Sequence, residues 1–173
     1  MINELATCRF TNEKVSVLIT GLCGAGKSHI AQAIGHCAVR QGIDVLFTTQ
    51  TKLLAQIHAA RATDTLDRKL QTMARIPLMI IDDFALKPFK QGQDEDFREL
   101  VAERYERNST IITSNLDFTE WGDAFPNKLL GAATIDRLRH RAYQLVFNGP
   151  SYRTLRDIKN NSKSPVESTP KID

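Results

Sequence analysis

The sequence predicts a single three-layer α/β domain, in which a mostly parallel sheet of five strands is covered by helices on both faces. A chain of 173 residues with 42% apolar and 25% charged residues has the size and composition of one globular domain. Short, β-branched apolar runs alternate along it with longer amphipathic segments. These runs are mostly apolar throughout rather than at every second position, which is typical of strands buried on both faces of a parallel sheet.

Five segments have this strand character. They are Val15 to Thr20, Ile43 to Thr49, Leu78 to Asp82, Thr110 to Thr113 and Tyr143 to Phe147. Because helical segments separate them, the strands are joined by crossovers, which are right-handed in almost all proteins. The sequence therefore predicts a layered α/β architecture.

Amphipathic periodicity predicts the helices between the strands. Apolar residues three or four positions apart mark one helix face at Leu53, Leu54 and Ile57, and another at Phe97, Leu100, Val101 and Tyr105. Gly42 and Asn108 follow helical segments and predict where two helices end. We predict that residues 1–158 form the domain and that the polar residues 159–173 form a disordered tail.

Composition narrows the class of protein further. No apolar run approaches the roughly 20 residues of a membrane helix, and the N-terminus has no basic-then-apolar signal region, so we predict a cytoplasmic protein without membrane contact. The formal charge is only +3, but residues 136–163 hold seven Lys or Arg against two Asp, which gives 7 − 2 = +5. Such a segment is either a solvated face or a contact surface for an anionic partner such as nucleic acid.

The strongest motif is a phosphate-binding loop at residues 21–28, which reads Gly-Leu-Cys-Gly-Ala-Gly-Lys-Ser. It satisfies the pattern G-x-x-x-x-G-K-[ST] and lies between a predicted strand and a predicted helix, as this motif requires. Its glycines let backbone N–H groups approach phosphate oxygens, and the helix N-terminus adds a positive end. Lys27 supplies a cation to the β- and γ-phosphates, and the Ser28 hydroxyl is a ligand for Mg²⁺. The predicted nucleotide contacts are Gly21, Leu22, Cys23, Gly24, Ala25, Gly26, Lys27, Ser28 and His29.

Two carboxylates, Asp82 and Asp83, follow the apolar strand that begins at Leu78. Open α/β folds bind their ligands at the carboxyl ends of the strands. If this strand lies beside the one that leads into the phosphate loop, Asp82 approaches the Mg²⁺ held by Ser28, and Asp83 points toward an attacking water. The pair fits ATP hydrolysis, and the other interpretation is a turn that begins with acidic residues.

Three polar residues further along are candidates for contact with phosphate. Asn115 ends the next apolar strand with an amide, which donates and accepts hydrogen bonds without repelling anionic oxygens; it either contacts the γ-phosphate or the attacking water, or turns the chain. Arg137 ends a helical stretch and Arg153 follows the last strand. Arginine forks suit phosphate oxygens, including those of a neighbouring subunit, although a helix C-terminus also favours arginine electrostatically.

These motifs, in this order, resemble those of the IstB-like helper ATPases of insertion-sequence transposons, which are relatives of the DnaC helicase loader in the AAA+ superfamily. The resemblance covers roughly residues 4–156. Its most specific segments are residues 103–121, which contain Arg-Asn-Ser-Thr-Ile-Ile-Thr-Ser-Asn-Leu, the later Asp-Arg-Leu and the final Ser-Tyr-Arg. It implies a protein that binds ATP and Mg²⁺, assembles as a homo-oligomer on DNA, and recruits and stimulates a partner transposase.

By motif position the resemblance also implies roles. Asp82 resembles the Walker B metal acid, Asp83 its catalytic neighbour and Asn115 the sensor 1 residue. Arg137 resembles the arginine that acts on a neighbouring subunit, and Arg153 resembles the sensor 2 arginine.

Three departures from the family pattern bear on these expectations. Many AAA+ ATPases carry Glu where this chain has Asp83, so a shorter side chain would polarise the water. The short polar sequence after Arg153 predicts that a full C-terminal helical lid is absent. The family also carries several dozen helical residues before the segment matching Ile2 to Phe10, so this chain reads as an N-terminally shortened copy.

Four functions remain open on the sequence alone. The first is the transposition helper ATPase, and the second is a helicase loader with the same ATP site and a different partner. The third is a small-molecule kinase, which needs lid arginines and an acceptor pocket and is disfavoured by the paired acids. The fourth is a nucleotide- or DNA-binding module without turnover, against which the intact loop and acid pair argue.

Overall fold

The computed structural model describes residues 1–149 and 151, and at its centre lies a sheet of five parallel strands. In chain order the strands are β1 (Val17–Gly21), β2 (Val45–Thr49), β3 (Leu78–Asp82), β4 (Ser109–Ser114) and β5 (Tyr143–Phe147). They lie side by side in the order β2-β3-β4-β1-β5, and every neighbouring pair is parallel. The predicted five-stranded α/β sheet is therefore confirmed, with each strand end within two residues of its predicted place.

Seven α-helices and one short 3-10 helix, Trp121–Ala124, complete the described part of the chain. The α-helices are α1 (Ile2–Leu5), α2 (Arg9–Asn12), α3 (Lys27–Arg40), α4 (Gln50–Ala62), α5 (Leu66–Ala74), α6 (Gln93–Arg104) and α7 (Lys128–Arg139). Within the described residues, no helix is long and apolar enough to cross a membrane.

The two predicted helix ends have different outcomes. Gly42 follows α3 with a φ of 77°, and its N–H donates to the carbonyl of Val39, as expected of a glycine that ends a helix. The end predicted at Asn108 comes late, because α6 stops four residues earlier, at Arg104, and Tyr105 leaves the helical conformation with a ψ of 125°. Asn108 instead donates from Nδ2 to the carbonyl of Ala74 and ties this turn to α5.

The strands are buried on both faces because helices cover the sheet from both sides. Val17 and Ile19 of β1 pack in one apolar cluster with residues of α1, α2 and α3. Leu18, between them, points to the opposite face and packs in a second cluster with residues of α4, α5, α6 and α7. This alternation accounts for the uninterrupted apolar runs in the sequence.

Because the strands are parallel, all five begin at one edge of the sheet and all five end at the opposite edge. We call the edge where the strands end the carboxyl edge, and the edge where they begin the amino edge. Gly21, Asp82 and Ser114 end their strands at the carboxyl edge, and Ser109 and Tyr143 begin theirs at the amino edge.

An aromatic cluster fixes the segment that leaves β3. Phe84 is fully buried, and its ring centroid lies 4.7 Å from that of Trp121 and 5.5 Å from that of Phe97. Phe89 and Phe125 complete the cluster. Offset and edge-on aromatic pairs stabilise a fold beyond the area they bury. The cluster therefore holds the chain directly after Asp82 and Asp83.

Candidate nucleotide and metal site

The phosphate loop lies at the carboxyl edge, between β1 and α3, where the sequence predicts it. α3 begins at Lys27, and Gly26 precedes it with a φ of 92°. Gly24 has a φ of 80°, and a Cβ atom there would lie 2.1 Å from Oγ of Ser151. Only glycine fits at Gly24, because the chain after β5 returns across the loop at this point.

Lys27 is buried, although its side chain carries a charge. Its Nζ donates to the carbonyl oxygens of Gly21 and Leu22, each at 2.8 Å, and both carbonyls belong to the loop itself. Burial lowers the pKa of Lys27, while Cys23 and the two carboxylates at the end of β3 act in the opposite direction. The ammonium is thus held within the loop by neutral acceptors that anionic oxygens can replace.

Ser28 and Asp82 meet, as predicted, but not for the predicted reason. The expectation supposed that β3 lies beside β1, and that is wrong because β4 lies between them. Helix α3 packs across β1, β4 and β3, so its first turn reaches over the intervening strand. The hydroxyl of Ser28 donates to Oδ1 of Asp82 at 2.8 Å.

This pair of oxygen groups fits a magnesium ion. Asp82 is only 8% exposed, and within the described chain no Lys, Arg or His lies at ion-pair distance from its carboxylate. In that part of the chain, Oδ1 of Asp82 accepts hydrogen bonds from hydroxyl groups rather than from a cation. Mg²⁺ prefers hard oxygen ligands of this kind, and Ser28 and Asp82 are the residues that would hold it.

Asp83 occupies an exposed turn with an unusual backbone. Its φ is 55° and that of Ala85 is 60°, in the left-handed region that few side chains adopt. The turn is held by Gln50, whose Oε1 accepts from the N–H of Ala85 at 2.6 Å and whose Nε2 donates to the carbonyl of Lys87 at 3.0 Å. The sequence analysis did not identify Gln50, since a glutamine at a helix start has no motif to mark it.

Asn115 directly follows β4, one strand from the loop, and its side chain is half-buried. The structure therefore places it at the carboxyl edge with Lys27, Ser28 and Asp82. Two residues earlier, Thr113 donates from Oγ1 to Oδ1 of Asp82. Thr113 was not predicted from the sequence; the available signal was a polar residue that directly follows the apolar pair Ile111 and Ile112 in a strand.

Arg137 is not part of this group. It lies in the last turn of α7, before β5, and therefore at the amino edge. There it lines a cavity of about 250 Å³ with Lys14, Arg104 and Tyr105. Its Nη1 is buried and has no hydrogen-bond partner among the described residues. The five residues of β5 span roughly 17 Å, so Arg137 is too far from the phosphate loop of its own chain to touch a nucleotide there.

Arg153 lies outside the described residues. The same holds for the predicted tail at 159–173 and for the segment in which the absence of a lid is predicted.

Comparison with known proteins gives one consistent result. The family model described as IstB-like ATP binding protein matches residues 1–162. An insertion sequence IS21 ATP-binding protein of Pseudomonas aeruginosa is 35% identical over 166 residues, which are 96% of this chain and 61% of that protein. An insertion-sequence ATP-binding protein of Mycobacterium tuberculosis is 31% identical over 154 residues, 88% of this chain and 61% of that protein. This chain thus spans about three fifths of the length of these relatives.

Solved structures share the fold. The DnaC helicase loader superposes with a TM-score of 0.73 at 21% identity, covering 85% of this chain and 86% of that one. DnaI gives 0.70 at 23% identity, covering 86% and 81%. The replication initiator DnaA bound to AMPPCP and single-stranded DNA gives 0.71 at 16% identity, covering 92% and 49%. The fold is therefore the one that DnaC, DnaI and DnaA share.

Proposed function

The chain belongs to the IstB-like ATP-binding family, and from this premise we propose that it is an ATP-hydrolysing switch of insertion-sequence transposition. In this function it binds ATP and Mg²⁺, assembles with further copies on DNA, and stimulates a partner transposase. The observation that carries the proposal is the meeting of Ser28 and Asp82 at 2.8 Å beside the buried Lys27. That geometry supports a metal-dependent nucleotide site rather than a glycine-rich turn of another kind.

In the proposed mechanism each residue of the carboxyl edge has one task. Lys27 exchanges its loop carbonyls for phosphate oxygens, and the loop N–H groups bind the same phosphates. Ser28 and Asp82 would hold Mg²⁺, which would supply positive charge to the β- and γ-phosphates. Asp83 orients a water molecule, whose oxygen forms a bond to the γ-phosphorus while the bond between that phosphorus and the ADP oxygen breaks. Asn115 forms a hydrogen bond with the γ-phosphate or with this water.

Two arginines complete the proposal. Because Arg137 lies at the amino edge of its own sheet, we assign it to the γ-phosphate of a neighbouring copy, where it stabilises the developing charge. Arg153 is assigned to the phosphates of its own chain; support comes from Ser151, two residues earlier, which contacts Gly24 of the loop.

The first experiment tests assembly on DNA. Sedimentation velocity is run with and without ATP, and with and without duplex DNA. We expect larger assemblies only with ATP, and a DNA affinity that falls with salt with a log-log slope near −0.9 for each phosphate neutralised. A protein that stays monomeric and ignores DNA at low salt in every arm contradicts the proposal and favours the module without turnover or the kinase. Stimulation of a replicative helicase rather than a transposase would favour the helicase loader.

The second experiment tests Arg137. Arg137→Ala should leave ATP binding intact and reduce turnover about 10³-fold or more, the usual contribution of an arginine supplied to a neighbour's site. Mixing it with Lys27→Ala should restore part of the turnover, because the second variant supplies Arg137 to the intact nucleotide site of the first.

The matched control is Arg139→Ala, which changes an exposed arginine in the same helical turn, stacked 5.9 Å from the ring centroid of Phe118. Arg139→Ala should turn over ATP normally if it folds. No recovery on mixing would exclude the assignment of Arg137 to a neighbouring copy.

A further inference from the structure

Thr113 lies in the sheet where it contacts both acidic residues at the end of β3, Asp82 and Asp83. It is the penultimate residue of β4, is 1% exposed, and pairs with Ile19 of β1 on one side. On the other side the register pairs Ile112 with Ile81, so the next step along the strands brings Thr113 opposite Asp82. Thr113 thus lies between the strand that leads into the phosphate loop and the strand that ends in the acids.

Its hydroxyl group makes two hydrogen bonds with these acids. It donates to Oδ1 of Asp82 and accepts from the backbone N–H of Asp83 at 3.3 Å. A hydroxyl has one donor and two acceptor positions, so its single donor is fully used. The N–H of Phe84 also donates to the Thr113 carbonyl at 2.9 Å, which aligns the turn after β3 with β4.

Two hydroxyl groups therefore converge on one carboxylate oxygen. Oδ1 of Asp82 accepts from Thr113 and from Ser28, whereas in the described part of the chain no hydrogen bond reaches Oδ2. The terminal torsion of an aspartate is soft, so a carboxylate rotates unless its neighbours fix it. Thr113 and Ser28 fix the plane of this one and leave Oδ2 to a metal ion or its water.

From these contacts we infer that Thr113 is a positioning residue of the metal site, which orients Asp82 for Mg²⁺ and holds the backbone of Asp83 in its left-handed turn. The inference rests on the proposed ATP and Mg²⁺ site. Residues that orient a metal-binding carboxylate typically contribute about 10- to 100-fold to metal affinity or activity. Thr113 does not touch nucleotide itself, so binding of ATP without metal does not depend on it.

The test compares two substitutions of the same residue. Thr113→Val keeps the β-branched shape and removes the hydroxyl, whereas Thr113→Ser keeps the hydroxyl and removes a methyl group. We expect Thr113→Val to need about 10- to 100-fold more Mg²⁺ for half-maximal turnover, with ATP affinity in EDTA unchanged. Thr113→Ser should restore the wild-type Mg²⁺ dependence.

The matched control is Thr134→Val. Thr134 is also fully buried, and its hydroxyl donates to the Leu130 carbonyl within its own helix. It should leave the Mg²⁺ dependence unchanged. Circular dichroism of each variant establishes that it is folded.

A second readout separates this inference from the proposed hydrolysis. The affinity of Mn²⁺ in the presence of ADP, followed by electron paramagnetic resonance, requires no turnover. If the wild type binds Mn²⁺ with ADP but does not hydrolyse ATP, the proposed hydrolysis fails while Thr113→Val should still weaken Mn²⁺ binding. A Thr113→Val protein with wild-type metal dependence, or a Thr113→Ser protein with the same defect as Thr113→Val, would overturn the inference.

Discussion

Among the described residues, each edge of the sheet buries one cation, and the two edges hold their cations in different ways. Lys27 at the carboxyl edge is 5% exposed and Arg104 at the amino edge is 3% exposed. The Nζ atom of Lys27 donates to two carbonyls of the loop that precedes it, five and six residues away in the chain. Burial lowers the pKa of both side chains, that of Arg104 to about 10.

Arg104 instead joins elements that are distant in sequence. Its Nε donates to Oγ1 of Thr110 at 3.0 Å, and its Nη2 donates to the carbonyl of Ser109. Its Nη1 donates to three carbonyls 28 to 31 residues away, those of Met73 and Ala74 at the end of α5 and that of Ile76 in the segment between α5 and β3. All three side-chain nitrogen atoms of Arg104 therefore donate to protein oxygens, and among the described residues no carboxylate takes part.

The acceptors of the two side chains distinguish a buried cation that serves binding from one that serves folding. The acceptors of Lys27 belong to one loop, whose Leu22 is 63% exposed, so phosphate oxygens or water can replace them. The acceptors of Arg104 belong to packed elements, and their loss leaves buried carbonyls without partners. Substitution of Lys27 should therefore change chemistry, and substitution of Arg104 should change stability.

The strongest test of the carboxyl edge is Asp83→Asn. The amide keeps the size and the left-handed turn but loses the negative charge that orients water, so turnover should fall about 10²- to 10⁴-fold. Nucleotide affinity and the free energy of unfolding should stay at wild-type values. Steady-state phosphate release and calorimetric titration with ATP measure the two properties.

Asp64→Asn is the matched control for this substitution. Asp64 is also exposed and has a φ of 54°, but it lies between α4 and α5, away from the loop. It should hydrolyse ATP normally. Normal turnover in Asp83→Asn itself would show that another group activates the water.

The corresponding test of the amino edge is Arg104→Met. Methionine retains an unbranched stem but no donors, so the free energy of unfolding should fall by about 3 kcal/mol, since several buried carbonyls lose their partner. Urea denaturation followed by circular dichroism measures this change. ATP affinity of the folded protein should be unchanged.

Arg107→Met provides the comparison on the same chain segment. Arg107 is exposed and pairs with Glu103 at 2.8 Å, four residues earlier, and exposed pairs typically contribute about 0.2–1 kcal/mol. A loss for Arg104→Met no greater than for Arg107→Met would remove the distinction drawn between the two edges.

The sequence predicts the parts of this molecule that depend on local pattern. The five strands were predicted from continuous apolar runs, and the loop at 21–28 from a motif whose glycines each have a backbone reason. Asp82 was identified because a carboxylate after an apolar strand is a local signal. Its contact with Ser28 was also expected, although through the wrong strand order.

The contacts that could not be predicted from the sequence depend on which strands and helices are neighbours in the fold. The position of β4 between β1 and β3 is a long-range fact, and with it comes the role of Thr113 between two strands. Gln50 and Arg104 were not predicted for the same reason, because most of their hydrogen-bond partners lie 28 to 37 residues away in the chain. A buried polar side chain is informative only once its partners are known.

The smallest of the expected effects is the loss of ATP affinity when Lys27 is replaced by alanine. Lys27→Ala removes the cation from the phosphate loop, and charge-assisted hydrogen bonds of this kind contribute about 1.5–3 kcal/mol, so ATP affinity should fall roughly ten- to hundredfold in calorimetry. The free energy of unfolding should change less than in Arg104→Met, because water can reach the carbonyls of Gly21 and Leu22 once the ammonium is gone. Lys52→Ala, which truncates an exposed lysine in the first turn of α4, should leave both quantities unchanged. If Lys27→Ala instead lowers stability as much as Arg104→Met while ATP affinity is retained, Lys27 is a structural cation like Arg104, and the two edges do not differ in the way that their contacts imply.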